Sequence, residues 1–557
     1  MITIVAVDKA WKVAGVSLLI CLLSFSPARA QVTVSGSVQS DVLIPQEDEA
    51  IGATTDSDWG KTNTYVDLKL QYTPQQSSTF SLDAGVRGEY LDHPLPGYEN
   101  DFAGWGVRHA YVTGKLQHIE LTLGSFYEQF GSGFILRTYE ERSLGIDNAL
   151  MGARLTLKPV DGITIKALSG RQRRYWEFNS GLVSGADAEV SLDQWLSSLR
   201  NHDTRLTLGA SWVNKYEKDE TVFADPTHKV NLPKYVNSWE VRASLNSGPW
   251  GLLAEYAQKT DDPSADNNYS FGKGTAAMLS ASYSQKGMSL LLQTKRSENM
   301  SSRSRRSMYG TSSFINHLPA FTLDHTYALA ALYPYATQLT LGEWAYQAEL
   351  GYNFKRRTAI GGKYGMNVKV NFSYVRAIDN DGGYAAPGTG RYKSSFLKWG
   401  DETYYHDFDI QLTRKLTRDL KLTLMYMNQR YNKTVVEGEG GMIHSNVFIA
   451  DGMYQIAPKT RLRTELQYLT TADDQGDWAY GLVELSLAPH WMFTVSDMWN
   501  CGETKNHYYQ GLVTLNIGSH RFAAGYGRTR SGLNCSGGVC RYVPATRGFT
   551  LNYNYNF

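Results

Sequence analysis

The sequence predicts an all-β protein that forms a single large antiparallel transmembrane β-barrel. We expect about 24 strands, within a range of roughly 22 to 26, with both termini on the periplasmic side and a lumen narrowed by inward-folded loops. Three observations predict this fold. The chain ends on an alternating aromatic strand, it begins with a secretory signal, and strand-like segments recur between connections that are alternately short and long.

The last residues of the chain, Arg547 to Phe557, alternate between two faces. Successive strand side chains point to opposite sides, so one face is apolar and aromatic while the other carries threonine and asparagine. A soluble protein seldom leaves such a strand at a sheet edge, whereas the closing strand of a barrel meets lipid outside and a polar lumen inside. The pattern resembles the C-terminal signal that bacterial barrel-assembly machinery reads, so we expect that machinery as a partner. The apolar residues of this assembly signal are Phe549, Leu551, Tyr553, Tyr555 and Phe557.

The N-terminus has the order of a secretory signal peptide. Two lysines precede the apolar stretch 13–25, which is shorter than the roughly 20 residues that a membrane-spanning helix needs. Ala28-Arg29-Ala30 then supplies a small-residue cleavage site. We therefore expect residues 1–30 to be removed and residues 31–557 to form the barrel.

Composition agrees with the outer membrane of a Gram-negative bacterium. Beyond the signal, no apolar run has the length of a transmembrane helix, and the mean hydropathy is −0.37. A barrel tolerates such polarity because half of each strand faces a wet lumen. Glycine (51) and tyrosine (36) are abundant, as turns and interfacial aromatic girdles require. Basic (55) and acidic (54) residues nearly cancel, so the charge indicates no nucleic-acid partner.

Three cysteines lie beyond the signal. Cys535 and Cys540 are separated by Ser-Gly-Gly-Val, a spacing that fits a small loop disulfide in an oxidising compartment. The alternative is a metal-binding pair, which would need further ligands that the surrounding sequence does not supply. We expect the disulfide, with Cys501 left as a free thiol.

Segments of about ten residues with two-residue alternation recur along the chain. Val66 and Leu68, for example, flank Asp67, and short turns such as 285–287 alternate with long polar loops such as 260–273. A soluble multi-sheet protein such as a propeller also alternates, but it buries its apolar face and needs no aromatic last strand. The predicted strands begin near residues 32, 63, 79, 104, 118, 150, 163, 183, 204, 235, 250, 275, 288, 344, 364, 403, 419, 442, 460, 478, 491, 507, 520 and 546.

A barrel of this size cannot be filled by its own side chains, because about 16 strands already leave a channel. The segment 126–142 follows a strand and mixes acidic, basic and apolar residues that would not favour bulk water. Folded into the lumen, it would form a constriction in which opposed charges select polar solutes. The alternative is an upward extension of two strands with solvated salt bridges. The candidate constriction residues are Glu128, Arg137, Glu140, Glu141, Arg142 and Asp147.

A second segment, Phe314–Thr337, is too apolar for a free surface loop. It is expected to pack into the lumen or to cap the barrel, with a surface for a partner protein as the alternative. Basic residues at 301–306 and 171–174 lie near predicted outer strand ends. They suggest contact with lipopolysaccharide phosphates, beside the membrane lipid itself, and the alternative is solvated loop charge.

No catalytic motif stands out, so we expect no enzyme, no cofactor and no metal. Five stretches resemble those of a Bacteroidota outer-membrane barrel family of unknown function, which implies location and architecture but no activity. They are Phe126–Gly133, Arg137–Arg142, Gly145–Asn148, Tyr333–Thr337 and Cys535–Cys540.

Two functions remain open from the sequence. The first is a porin-like channel for polar small solutes, which the charged inward rows favour. The second is a non-conducting barrel subunit of a larger outer-membrane machine, for secretion or for barrel or lipoprotein assembly, with partner proteins at its outer loops. The apolar segment 314–337 favours the second function.

Overall fold

The computed structural model describes residues 30–55, 60–74, 79–218, 220–380, 385–390, 394–536 and 538–557. The predicted signal peptide falls almost wholly outside these residues and stays a prediction. The β-strands, numbered in chain order, are β1 (Ala30–Pro45), β2 (Lys61–Pro74), β3 (Phe80–Asp92), β4 (Gly104–Leu116), β5 (Ile119–Phe126), β6 (Glu140–Glu141), β7 (Ile146–Asp147), β8 (Leu150–Leu157), β9 (Ile163–Arg174), β10 (Glu177–Ser191), β11 (Thr204–Tyr216), β12 (Tyr235–Ser247), β13 (Trp250–Lys259), β14 (Gly274–Gln285), β15 (Met288–Glu298), β16 (Glu343–Phe354), β17 (Met366–Asn380), β18 (Ser394–Lys415), β19 (Leu420–Asn432), β20 (Met442–Ala457), β21 (Thr460–Thr470), β22 (Trp478–Leu487), β23 (Trp491–Asn500), β24 (His507–Ile517), β25 (His520–Thr529), β26 (Gly532–Ser536), β27 (Val539–Val543) and β28 (Thr546–Asn556).

Twenty-four of these strands form one closed antiparallel barrel, which confirms the predicted fold class. The strands β6–β7 and β26–β27 form two small separate hairpins. The barrel closes because β1 pairs with β2 along one edge and with β28 along the other. The last residue completes this seam: the Phe557 and Gly36 backbones exchange two hydrogen bonds of 3.0 Å each.

Helical structure is slight. No helix in the described part of the chain is long and apolar enough to cross a membrane. The short helices in the connections are Glu49–Ile51, Asn100–Phe102, Arg142–Leu144, Leu192–Gln194, Ser197–Asn201, Ala265–Asn267 and Lys433–Glu437.

The two faces of the barrel wall differ as the alternation predicts. In β21, the outward Leu466 is 61% exposed, whereas its neighbours Glu465 and Gln467 on the inward face are each 4% exposed. Val66 and Leu68 of β2 are likewise exposed on the outer face, while Asp67 points inward to other polar groups. The outer surface is therefore apolar and the inner surface polar, as a membrane barrel requires.

Most predicted strand starts lie within a few residues of the observed ones, but two are wrong. β10 begins at Glu177 rather than near 183, so the predicted loop 174–182 is mostly strand. β18 begins at Ser394 rather than near 403. In both places the register is irregular, between Phe178 and Leu182 and again beyond Val375. Bulges interrupt the two-residue period, so the sequence signal is lost there although pairing continues.

The connections divide between two ends of the barrel. Short turns such as 286–287, 458–459 and 518–519 lie at one end, named here the short-turn end. Long connections such as 260–273 lie at the other, named the long-loop end. This division agrees with the predicted asymmetry of turns and loops.

Two long connections fold into the lumen. The first lumen loop, residues 127–149, joins β5 to β8, and the second lumen loop, residues 299–342, joins β15 to β16. Their apolar side chains pack on each other and on inward-facing wall residues in one buried cluster. The inward folding explains why both segments are apolar, since each large side chain gains roughly 1.5–3 kcal/mol from such burial. The loop residues of the cluster include Phe130, Phe134, Ile135, Leu136, Ile315, Leu318, Phe321, Leu329, Leu332, Tyr333 and Tyr335.

The lumen is filled unevenly along its axis. In β12, Glu240 towards the long-loop end is buried, whereas Asn246 near the short-turn end is exposed. In β2, Asn63 is buried and Lys69 is exposed. The lumen loops thus occupy the half near the long-loop end and leave a wet vestibule at the short-turn end.

Candidate functional site

A hairpin of the first lumen loop lies against the polar inner wall. Its strands β6 and β7 pair Glu140 with Asp147, and a short helical turn joins them. The Glu141 carboxylate caps this turn by accepting from the Ser143 N–H at 3.1 Å. Gly145 ends the turn at φ 64°, a left-handed conformation that glycine adopts readily. The hairpin thereby presents its flanking charges to the wall.

Two arginines and two carboxylates join the hairpin to β2 and β3. The Arg87 guanidinium donates to both oxygens of Glu140, at 2.6 and 2.9 Å, and to Asp67 at 2.7 Å. Arg142 donates to Glu140 at 3.0 Å and to Asp67 at 3.1 Å. It also donates to Gln39 of β1 at 2.9 Å. Paired, charge-assisted contacts of this kind are among the strongest polar interactions in proteins.

A second group of charges continues this arrangement along β3 and β9. Arg173 binds Glu89 at 2.8 Å and contacts Asp147 of the hairpin. Asp147 also accepts from the Tyr127 hydroxyl and the Ala149 N–H, both at 3.0 Å. The two groups together are named here the hairpin network, and they contain three guanidiniums and four carboxylates. Its members are Asp67, Arg87, Glu89, Glu140, Arg142, Asp147 and Arg173.

Burial and charge act in opposite directions on the two hairpin carboxyls. Burial raises the pKa of Glu140, although Arg87 and Arg142 counteract part of this rise. Burial also disfavours the charged form of Asp147, but Arg173 and Arg87, with the hydrogen bonds from the Ala149 N–H and the Tyr127 hydroxyl, together hold the pKa of that carboxyl below its usual value. Asp147 is therefore the more firmly ionised of the two.

A polar cavity of about 460 Å³ lies on the short-turn side of the hairpin network. Its wall combines network side chains with polar groups of β1, β2 and β4, so it forms the inner end of the wet vestibule. A larger concavity of about 870 Å³ lies elsewhere, on the outer face of β11–β17, and is lined by leucine and alanine that face the lipid. The lining of the polar cavity includes Ser37, Asp67, Lys69, Arg87, His109, Tyr111, Tyr127 and Arg142.

The six predicted constriction residues divide into two groups. Glu140, Arg142 and Asp147 belong to the hairpin network. Glu128 instead holds the loop to β8 and β9, through Lys166 at 2.8 Å and Arg154 at 3.4 Å.

The other two residues also stabilise the loop. Arg137 lies over the Tyr139 ring at 4.9 Å, and its N–H donates to the Ile315 carbonyl of the second lumen loop at 2.9 Å. Glu141 caps the turn, and its second oxygen accepts from Ser536 at 3.4 Å.

The sequence did not predict the wall partners of the network. Arg173 was expected in a surface basic patch, and no expectation joined Arg173 or Arg87 to Glu140 or Asp147. The alternation of polar and apolar side chains along β2 and β3 is the signal that could have placed Asp67, Arg87 and Glu89 on the inward face.

Most of the basic patch at 301–306 lies inside the molecule, and of its three arginines only Arg305 is partly exposed, at 39%. Arg306 is 0% exposed and binds Glu217 at 3.1 Å. Arg303 is also buried and binds Asp266 at 2.7 Å. A short serine-rich basic run looks solvated in a sequence, whereas here the infolded loop places it against acidic groups of neighbouring connections.

A disulfide joins Cys535 to Cys540 across the hairpin β26–β27, and Cys501 is a free thiol. The disulfide hairpin rests on the first lumen loop, because Arg541 donates to the Leu144 carbonyl at 2.5 Å. The pairing of the two cysteines agrees with the predicted disulfide rather than a metal pair.

Comparison with solved structures finds outer-membrane barrels. The outer membrane protein opdK of Pseudomonas aeruginosa is 11% identical, with 95% of this chain and 98% of opdK covered, at a TM-score of 0.37. OccAB3 of Acinetobacter baumannii is 8% identical, with 95% and 99% covered, at 0.37. A mutant of the ferric enterobactin receptor PfeA of Pseudomonas aeruginosa, in complex with enterobactin, is 11% identical, with 94% and 81% covered, at 0.44. At these TM-scores the likeness carries no argument about this chain.

Sequence comparison covers nearly the whole chain. A search of curated sequences finds no match. A family model described as a family of unknown function, DUF6029, matches residues 10–557. This agrees with the resemblance to a family of unknown function, while the phylum Bacteroidota stays a prediction. The chain belongs to DUF6029.

Proposed function

We propose that the protein is a porin-like channel for polar small solutes in the outer membrane of a Gram-negative bacterium. The observation that supports this most directly is the polar vestibule, which leads from the short-turn end to a charged cavity beside the hairpin network. Such a lumen offers hydrogen bonds and charge to a hydrated solute, while the apolar outer face suits hydrocarbon. In this role the protein lets solutes pass and catalyses no reaction.

The size of the barrel makes the lumen loops the determinants of any path. With strands about 4.8 Å apart and tilted by about 40°, a 24-stranded ring is roughly 48 Å across between backbones. Side chains cannot span that width, so the two loops decide what passes.

The hairpin network is the place where a path opens most easily. The seam between the hairpin and β2–β3 is polar, so water can enter it without exposing apolar surface. Much of the rest of the infolded loops packs in the apolar cluster, whose separation would expose large side chains such as Phe130 and Phe134. We therefore assign Glu140 and Arg142 as the groups that keep this seam closed.

Conductance of the purified protein in a planar bilayer tests the proposal. Glu140→Gln removes the charge that binds both Arg87 and Arg142, and we expect it to raise the mean conductance severalfold. Glu128→Gln is the matched control, because it changes a carboxylate of the same loop that pairs on the far side, with Lys166. The control should conduct as the wild type does.

Silence of both the wild type and Glu140→Gln, although each migrates as a folded barrel, would reject the channel. An equal rise in conductance in Glu128→Gln would instead reject the assignment of the closed seam to Glu140 and Arg142, because loosening the loop anywhere would then have the same effect.

A non-conducting subunit of a larger outer-membrane machine is the second candidate. The observation that favours it is the burial of the apolar cluster, which lies in the half of the lumen near the long-loop end. Silence in the bilayer together with a stoichiometric partner protein would favour this candidate. Leu318 and Phe321 are already buried in the lumen, so a partner at 314–337 would have to contact other groups of that segment. Membrane lipid, lipopolysaccharide and the barrel-assembly machinery stay proposed partners in both cases.

A further inference from the structure

A second group of ionisable side chains lies on the opposite wall, where the second lumen loop meets β18. His325 belongs to the loop, and Asp407 and Asp409 are neighbours on the inward face of the strand. One ligand atom from each residue lies within 4.8 Å of the other two. The side chains are 5% exposed for His325 and 0% for Asp407. Asp409 is also buried, at 2%.

The charge of this group is unbalanced, in contrast to that around the buried Asp262 carboxylate. Asp262, for comparison, has Lys215 at 2.6 Å and Lys259 at 3.3 Å. In the described part of the chain, neither Asp407 nor Asp409 has an arginine or lysine as an ion-pair partner. Two buried carboxylates thus share a single imidazole. Buried negative charge without a matching cation is unfavourable, so this place favours an added positive charge.

The Asp407 carboxylate also has an unused oxygen. Its Oδ2 accepts from His325 Nε2 at 2.6 Å, from Tyr405 at 3.4 Å and from Asn371 at 3.5 Å. Its Oδ1 is buried and has no hydrogen-bond donor among the described residues. A buried carboxylate oxygen without a donor is rare in proteins, because its desolvation is not repaid. The orphaned oxygen is a second indication that a ligand belongs here.

We propose that His325, Asp407 and Asp409 bind one divalent transition-metal ion of the zinc type. An imidazole nitrogen with two carboxylate oxygens suits such ions better than calcium or magnesium, which prefer oxygen alone. Bond lengths of roughly 2.1 Å and tetrahedral angles place ligand atoms about 3.4 Å apart, a spacing that small side-chain adjustments reach from the present one. A water or solute would complete the coordination.

The site would fasten the second lumen loop to the barrel wall. His325 comes from the loop and both carboxylates come from β18, so a bound ion crosslinks the two. The inference does not depend on conductance, since such a crosslink would serve an open or a closed barrel alike.

A proton is the competing occupant. Burial opposes the charge of the His325 imidazole, but the hydrogen bond to Asp407 and the charges of Asp407, Asp409 and Asp324 together raise the pKa of His325. The hydrogen bond alone could therefore hold the loop. Metal binding to the purified protein distinguishes the two.

The experiment uses the full mature chain in detergent, without a polyhistidine tag, after removal of metal with EDTA. Titration with Zn²⁺ against a chromogenic chelator at pH 7.5 should give about one tightly bound ion per chain. We expect at least tenfold weaker binding in His325→Gln and in Asp409→Asn, whose side chain keeps nearly the same shape. His444→Gln is the matched control, because His444 forms an exposed pair with Asp473 at 3.2 Å.

The proposal fails if the wild type binds no stoichiometric Zn²⁺, or if both site variants bind as tightly as the wild type. Equal weakening in His444→Gln would also overturn it. Each variant is checked for the heat-dependent gel migration of a folded barrel. Should the variants not fold, X-ray absorption of the zinc-loaded wild type decides: one imidazole in the innermost coordination sphere supports the site, and none or more than one overturns it.

Discussion

The ion pair between Lys295 and Glu343 is the anchor at which the second lumen loop leaves and rejoins the wall. Both side chains are 0% exposed and lie 3.0 Å apart at the ends of β15 and β16. Glu343 also accepts from the Tyr335 hydroxyl and from the Gln338 N–H at 3.0 Å, and Lys295 donates to the Pro319 carbonyl at 2.5 Å. We predict that Lys295→Met undocks the loop by leaving Glu343 buried without its cation.

The expected size follows from the burial of the pair. Removing one partner of a fully buried ion pair costs about 3–5 kcal/mol. Each 1.4 kcal/mol is a factor of ten in an equilibrium constant, so loop opening should increase roughly 100- to 4,000-fold. Lys295→Met/Glu343→Gln removes both charges and should recover most of the loss, because replacing a whole buried pair is often nearly neutral.

Hydrogen–deuterium exchange of the barrel in detergent measures this opening directly. Peptides covering 329–342 should exchange faster in Lys295→Met by the stated factor, while the strands away from the loop keep their protection. Lys69→Met is the matched control, since Lys69 is an exposed lumen lysine in the vestibule and its loss should change exchange little.

Two results would refute this reasoning. Unchanged exchange of 329–342 in Lys295→Met would show that the apolar cluster alone holds the loop. Exchange of 329–342 as fast in Lys295→Met/Glu343→Gln as in Lys295→Met would show that lost side-chain packing, and not the uncompensated charge of Glu343, causes the loop opening.

Three further predictions concern the first lumen loop, the disulfide hairpin and the last residue of the chain. Burial disfavours ionised Asp147, but Arg173, Arg87 and the hydrogen bonds from Ala149 and Tyr127 together hold its pKa below the usual value. The stabilisation by ionised Asp147 is therefore complete above about pH 4 and is lost as the pH falls through the lowered pKa. Pepsin digestion between about pH 4 and pH 2 should cut the first lumen loop of the wild type only at the acidic end of this range. The same loop in Asp147→Asn should be cut at pH 4 as well. Equal cutting of the wild type and Asp147→Asn at about pH 4 would contradict this prediction. Cys535→Ser/Cys540→Ser should destabilise the disulfide hairpin by up to about 2 kcal/mol. Trypsin should then cleave this hairpin faster, while the melting temperature of the barrel stays unchanged. Phe557→Ala should lower the yield of folded barrel in outer-membrane fractions, because Phe557 ends the strand that closes the ring, and normal yield would count against its role in assembly.

Much of the fold was predictable because the information is local. The alternation of Val66, Asp67 and Leu68 states which face is wet, and Phe557 with its neighbours marks the closing strand. The apolar content of 126–142 and 314–337 also indicated burial, since such residues do not favour open water. The predicted starts of β10 and β18 were wrong because bulges interrupt the two-residue period there, and the local signal is lost.

The pairing of charges could not be predicted in this way. Arg87 meets Glu140 across a sequence separation of 53 residues, and His325 meets Asp407 across 82. Each contact depends on how far an infolded loop reaches across a ring whose width is set by all 24 strands.

The sequence by itself thus determined the wall of the barrel: its strand number, its two faces, its closing strand and the presence of infolded loops. Only the tertiary structure decided which loop charge opposes which wall charge, and so where the hairpin network and the His325 group lie. The physical reason is that strand faces follow from a period of two residues along the chain, whereas contacts across the lumen follow from the closed shape of the whole ring.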